Sequence, residues 1–156
     1  MQVVATTYDW IMFAHVLAAM IWLGGAVAVT VLGGAALRSG KTDSVGGFIA
    51  SLRIVLPLIF GPASLATLGF GIWLVLDSDG WDFGQAWIIC GIALLGVAIL
   101  LGGPVVGRAA SDARRAADEG DDREAIRHLR RLSWGMRVIL LLLVVTTWDM
   151  VLKPGF

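Results

Sequence analysis

The chain has little charge, one cysteine and two histidines among its 156 residues. Charged residues make up 15%, where soluble domains carry about 25%. Hydrophobic residues make up 58% and the mean hydropathy is +0.83. So short a chain cannot hide that much apolar surface from water. The shortage of charge excludes a disordered tail and a soluble enzyme. The single Cys90 allows no internal disulfide and excludes a secreted disulfide scaffold. No phosphate-binding Gly-rich loop, Cys-x-x-Cys or His-Glu-x-x-His is present. The formal net charge is zero, so no bulk charge suggests nucleic acid as a partner.

What the sequence has is four apolar runs. A hydrocarbon core of about 30 Å needs roughly 20 apolar residues as helix. Strand-type alternation is absent and Gly and Ala are abundant, so helices are expected rather than a barrel. The fold class read from this is all-α and integral to the membrane: a four-helix bundle forming a single membrane domain over 1–156. The helices are placed at about 8–37, 48–76, 86–118 and 122–152. No Lys or Arg precedes the first run, so the basic start of a signal peptide is missing. Ala26-Val27-Ala28 resembles a cleavage site but lies in mid-span, and the first helix is expected to be retained.

The loops differ in charge. Loop 38–47 carries Arg38 and Lys41. The loop Asp77-Ser-Asp-Gly-Trp-Asp-Phe-Gly-Gln85 holds three Asp and no basic residue. Loop 108–131 carries seven Arg. The positive-inside rule puts loops 38–47 and 108–131 in the cytoplasm and both termini outside, in a cell inner membrane. The inner side then carries +4 and the outer side −4. Loop 108–131 reads as helix stopping at Gly120, with Asp121 or Asp122 capping the next. Ala125, Ile126, Leu129 and Leu132 follow at helical spacing, and Glu124 can pair with Arg127 and His128. A helical hairpin is therefore expected in the cytoplasm, either solvated or docking anionic lipid or a partner subunit.

Small residues let helices approach in lipid. Gly24-Gly25, Gly33-Gly34, Gly69-x-Gly71, Gly91 with Gly96, and Gly102-Gly103 are candidates, and Gly24 and Gly25 are expected to face another helix. Pro57 and Pro62 flank Gly61, and Pro104 follows a Gly pair, so kinks are expected in the second and third spans. The kink in the second span either opens a cavity or fits a neighbour, and the Gly-Gly-Pro at 102–104 bends the inner end of the third span. Trp10, Trp81, Trp87, Trp134 and Trp148 fall near the interfaces, as an aromatic belt requires, with Trp22 and Trp73 deeper. Cys90 has no adjacent base and reads as inert packing.

Ionisable groups inside the membrane are costly and mark function. His15 lies roughly 10 Å inside the outer boundary by helix rise. Met12 and Trp22 share its face, and Ala18 and Ala19 leave space beside the ring. Thr146, Thr147, Asp149 and Met150 of the fourth span come to similar depth. A neutral imidazole there can ligate haem iron or copper, with Met12, Met20 or Met150 as a soft second ligand. It can equally hydrogen-bond Thr146, Thr147 or a backbone carbonyl. Arg53 and Arg137, near the inner ends, either snorkel to lipid phosphate or hold carboxylates such as haem propionates. Their depth differs from that of His15. Lys153, with Pro154-Gly155, closes the chain at the outer surface, where it can anchor to headgroups or pair with an Asp.

The run His15-Val-Leu-Ala-Ala-Met-Ile-Trp22-Leu-Gly24-Gly25 resembles the first helix of a loose group of small bacterial membrane proteins. The group comprises the copper-resistance protein D domain, the four-helix membrane protoporphyrinogen oxidase and an uncharacterised family of predicted integral membrane proteins. The ending Met150-Val-Leu-Lys153-Pro154-Gly155 is most similar to that last family. The resemblance implies a first-helix histidine that binds haem or takes part in copper handling, and only His15 carries over. His128 falls in the hairpin, so two-histidine ligation of haem would need two protomers. The oxidase's lysine-bearing helix has no counterpart. The reading is a membrane protein binding haem b, or alternatively copper, through His15. Met12, Trp22, Met150, Arg53 and Arg137 complete the candidate site. Substrate, electron partner and enzymatic activity are left open. Lipid is the surrounding partner, with a homo-oligomer or larger membrane complex as further association. The alternatives are a cofactor-free accessory subunit, or a small transporter using Ser64 and Thr67 of the kinked span.

Overall fold

The computed structural model describes residues 6–153; Pro154 and Gly155 lie outside them. Every element among the described residues is helical. α1 spans Thr7–Ser39 and α2 spans Thr42–Val55, which passes through a π-helical turn, Leu56–Phe60, into α3, Gly61–Leu76. α4 spans Ala86–Leu101 and passes through a second π turn, Gly102–Gly107, into α5, Arg108–Asp118. α6 spans Asp122–Leu152. The chain thus forms four continuous rods, each long and apolar enough to cross a membrane. At about 1.5 Å per residue, rods of 31–35 residues exceed a hydrocarbon core of about 30 Å, and all four extend beyond it.

Local chemistry sets the ends. Thr6 and Asp9 form a reciprocal capping box, with the Thr6 backbone amide donating to Asp9 Oδ2 at 2.8 Å. The connection after α1 is Gly40-Lys41, with Gly40 at φ 65°. The second rod therefore begins at Thr42, six residues before the expected 48. Its first turns are polar, and hydropathy marks only the part of a helix that meets lipid. At the hairpin, Gly120 takes φ 76°, and the Asp121 carboxylate accepts from the Glu124 amide at 3.0 Å. Glu124 pairs with Arg127 and lies 3.1 Å from His128 Nε2.

Both π turns coincide with the proline and glycine clusters, Pro57 with Gly61 and Gly102-Gly103-Pro104. Proline supplies no N–H, and the wider turn absorbs the missing bond. α1 packs on α3 and α6, and α6 packs also on α4 and α5. α3 and α4 scarcely meet, although α2 reaches α5 at the hairpin end. The bundle is therefore an arc of rods in the order second, first, fourth, third, with a crevice between α3 and α4.

Packing is tightest at the hairpin end. Leu52, Val106, Leu129, Leu132, Met136 and Ile139 are its largest fully buried side chains. Ala109, Ala110, Ala113 and Ala116 bury the inner face of α5. Gly25 lets the Phe60 ring approach: an added Cβ would meet it at 3.0 Å. Gly24 faces nothing within 4 Å, contrary to the expectation that both glycines meet a helix, because adjacent residues on a helix point about 100° apart. Leu58, Leu65, Leu76, Leu100, Leu141 and Val151 are all exposed, as lipid contact requires. Cys90 is exposed too, so it faces lipid rather than filling the core. Trp10, Trp134 and Trp148 are exposed as belt residues, but Trp87 is buried and stacks edge-on with Trp81 at 4.6 Å.

Candidate functional site

A cavity of about 200 Å³ occupies the crevice at the end away from the hairpin. Met12 and His15 of α1, Gly71 of α3, Ile88 of α4 and Met150 of α6 line it. Tyr8, Trp81, Trp87 and Lys153 stand at the same end of the rods. The lining is apolar apart from the His15 ring, the Tyr8 hydroxyl, the indole N–H groups of Trp81 and Trp87, and the Lys153 ammonium.

His15 is half-buried, and its Nδ1 lies 2.9 Å from the Thr67 carbonyl oxygen of α3. A carbonyl can only accept, so Nδ1 carries the proton and donates. In the neutral ring Nε2 then keeps its lone pair, free to accept a proton or bind a metal. Of the two expected kinds of hydrogen-bond partner, the structure selects a backbone carbonyl. Thr146 and Thr147 instead donate to Leu142 and Leu143 within α6.

Gly71 makes this contact possible. It sits one turn after Thr67, and a Cβ there would lie 3.1 Å from His15 Cε1 and 3.4 Å from Nδ1. The missing side chain is what lets the imidazole lie against α3. Gly91 does the same for α6, since a Cβ there would meet Met150 Cε at 3.3 Å and Asp149 Oδ2 at 3.5 Å. Asp149 is 3% exposed and its Oδ2 has no hydrogen-bond partner. Lys153, one turn on, caps α6 at φ 44° and places its Nζ 3.8 Å from the centre of the Trp81 ring.

The sequence-derived candidates separate accordingly. Met12, His15 and Met150 come together in the cavity. Trp22 is buried one level deeper, in a smaller hollow of about 40 Å³ that also touches His15, Thr146 and Met150. Arg53 and Arg137 are exposed and line neither space; Arg137 lies over the Trp134 ring at 5.8 Å. Met20 is exposed. Among the described residues no three His, Cys, Asp or Glu side chains gather for a metal. The donors that share the cavity are one imidazole and two thioethers. Sequence reasoning placed Gly71 among the small residues that let helices approach but not beside His15, and placed Asp149 only by depth. The signal for the glycine was its place in a Gly-x-Gly pair.

The profile of one family, described as "Predicted integral membrane protein (DUF2269)", matches residues 9–154. The chain belongs to this family. The matched stretch takes in all four rods but for the first two residues of α1, and every residue of the cavity except Tyr8. The protein is thus a multi-pass integral membrane protein with four candidate spans. No curated protein and no solved structure matches the chain.

Proposed function

We propose that this family member handles a soft metal ion, copper(I), at His15. The observation that carries the reading is the His15–Thr67 hydrogen bond, which occupies Nδ1 and leaves Nε2 as the unprotonated nitrogen of a ring that lines a cavity with Met12 and Met150. Thioethers and imidazole are a donor set for the cuprous ion, and metal-bound histidines commonly donate their other N–H to a carbonyl. The apolar wall keeps competing water away.

Haem b is the second reading. The same hydrogen bond suits an axial histidine, and the first-helix resemblance to the copper-resistance D domain and the protoporphyrinogen oxidase supports both readings. A cavity of about 200 Å³ is smaller than the roughly 300–1,000 Å³ that holds drug-sized ligands. A porphyrin would require α3 and α4 to part, and these helices scarcely hold one another. Arg53 and Arg137 would take no part at this site. For the orientation, we place the hairpin in the cytoplasm and the cavity toward the outer side of a cell inner membrane, on the strength of the hairpin arginines.

The test is to purify wild type and His15→Ala from cells supplied with copper and haem precursor. Copper bound near one per chain and lost in His15→Ala supports the first reading. A Soret band lost in the variant supports the second. A wild type holding neither refutes both.

A further inference from the structure

The second hollow of the crevice is larger, about 640 Å³, and lies toward the hairpin. The two π turns face each other across it. Pro57, Phe60 and Gly61 form one wall and Gly102, Gly103 and Val106 the other. Trp22 and Met136 also line it, and Trp22 borders as well the small hollow of about 40 Å³ that touches His15. The kink in the second span therefore does both things expected of it as alternatives: it lines a cavity, and it seats Phe60 against Gly25 of α1. At the hairpin end the lining changes to Arg108, Ser111, Asp112 and Arg114. Arg108 is exposed and has no side-chain partner among the described residues, and Arg114 donates to Ser111 Oγ at 2.9 Å. Asp112 is the one acid on this rim, and its carboxylate lies 3.8 Å from His128 Nδ1. Arg53 lies one turn before Pro57 on the second rod, exposed and facing the same end.

We infer that this groove holds an anionic glycerophospholipid of the leaflet at the hairpin end, with an acyl chain between the π turns and its phosphate at Arg108 and Arg114. An apolar trough ending in two guanidinium groups is the complement of a tail ending in a phosphate. A second copy of the chain does not suit it, because a helix about 10 Å across cannot enter a hollow recessed between two rods. Arg108 and Arg114 outnumber Asp112 on the rim, so the end of the groove is net basic. This inference is independent of what His15 binds.

The test uses full-length protein washed free of lipid in neutral detergent. Dioleoyl phosphatidylglycerol, dioleoyl phosphatidylcholine and inorganic phosphate are added separately, and retention and thermal midpoint are read by native mass spectrometry and scanning fluorimetry. Phosphatidylglycerol should be retained and raise the midpoint more than phosphatidylcholine. Each of Arg108→Gln and Arg114→Gln should weaken its retention about fivefold. Gly103→Leu, where an added Cβ meets nothing within 4 Å, should fill the trough and reduce retention with the fold intact. Equal retention of the two lipids, or full retention of phosphatidylglycerol in Arg108→Gln and Gly103→Leu, overturns the inference. Stabilisation by inorganic phosphate alone, matching that by phosphatidylglycerol, also overturns it and makes the rim a free-anion site. Arg108→Gln removes an unpartnered exposed group, so the charge arm survives even if Arg114→Gln fails to fold.

Discussion

Gly71→Ala is the sharpest probe of how His15 is held. The added methyl would lie 3.1 Å from Cε1 and 3.4 Å from Nδ1 of the ring. Carbon contacts are optimal at about 3.5–4.0 Å, so the ring must retreat by roughly 0.4 Å. Thr67 lies one turn back on the same helix, so that retreat also stretches the Nδ1–carbonyl bond from 2.9 Å. The bond then passes the normal limit of about 3.2 Å. Losing it costs about 0.5–1.5 kcal/mol. Replacing a helical glycine with alanine gains up to about 1 kcal/mol. The two effects nearly cancel, and the thermal midpoint in detergent should move by no more than about 4 °C. The site has no such offset. Loss of a ligand's outer-shell partner lowers metal affinity about 10–100-fold. Copper(I) affinity, measured by competition with a chromophoric cuprous chelator, should therefore fall by that factor while stability holds. Gly71→Ala binding copper(I) as tightly as wild type, with an unchanged midpoint, would refute the claim that this contact orients the imidazole.

Three further outcomes are expected. Gly25→Leu should destabilise the bundle by about 1–3 kcal/mol through collision with Phe60, whereas Gly24→Leu should be neutral; equal effects in a thermal scan would contradict the packing described. Asp149→Asn should stabilise the fold by about 1 kcal/mol, because it removes the charge from a buried group whose Oδ2 lacks a partner while the amide itself still goes unpaired; a comparable loss of stability would mean that the charge itself holds α6 to α4. In a Cys90→Ser background, Ser78→Cys should react with an impermeant thiol reagent in intact cells and Ser111→Cys should not; the reverse pattern would invert the orientation.

Much of the architecture was legible because the bilayer imposes a simple length rule. Four apolar runs, a basic hairpin stopped at Gly120 and capped at Asp121, and breaks at the proline-glycine clusters all follow from local chemistry. The start of the second rod was not legible, since Thr42 to Gly47 are polar or glycine apart from Val45, and their weak helical propensity is overridden by packing of Val45 and Ile49 against the hairpin. At the site, His15 and both methionines were readable from spacing and depth. Arg53 and Arg137 were read as candidates from their charge and their place near the inner ends, at a depth that already differed from that of His15, and neither signal says which face of the bundle a residue occupies.

The sequence by itself determined that this protein lives in lipid, crosses it as helices, and carries one intramembrane imidazole, because transfer of charge and of unpaired backbone into hydrocarbon is costly wherever it occurs. Only the tertiary structure decided what that imidazole meets. A glycine on another rod, 56 positions away in the chain, supplies the space, and the Thr67 carbonyl beside it fixes the ring. The same holds for the crevice: each π turn is local, but the two make a groove only because α3 and α4 stand apart while α1 and α6 bind the rods together.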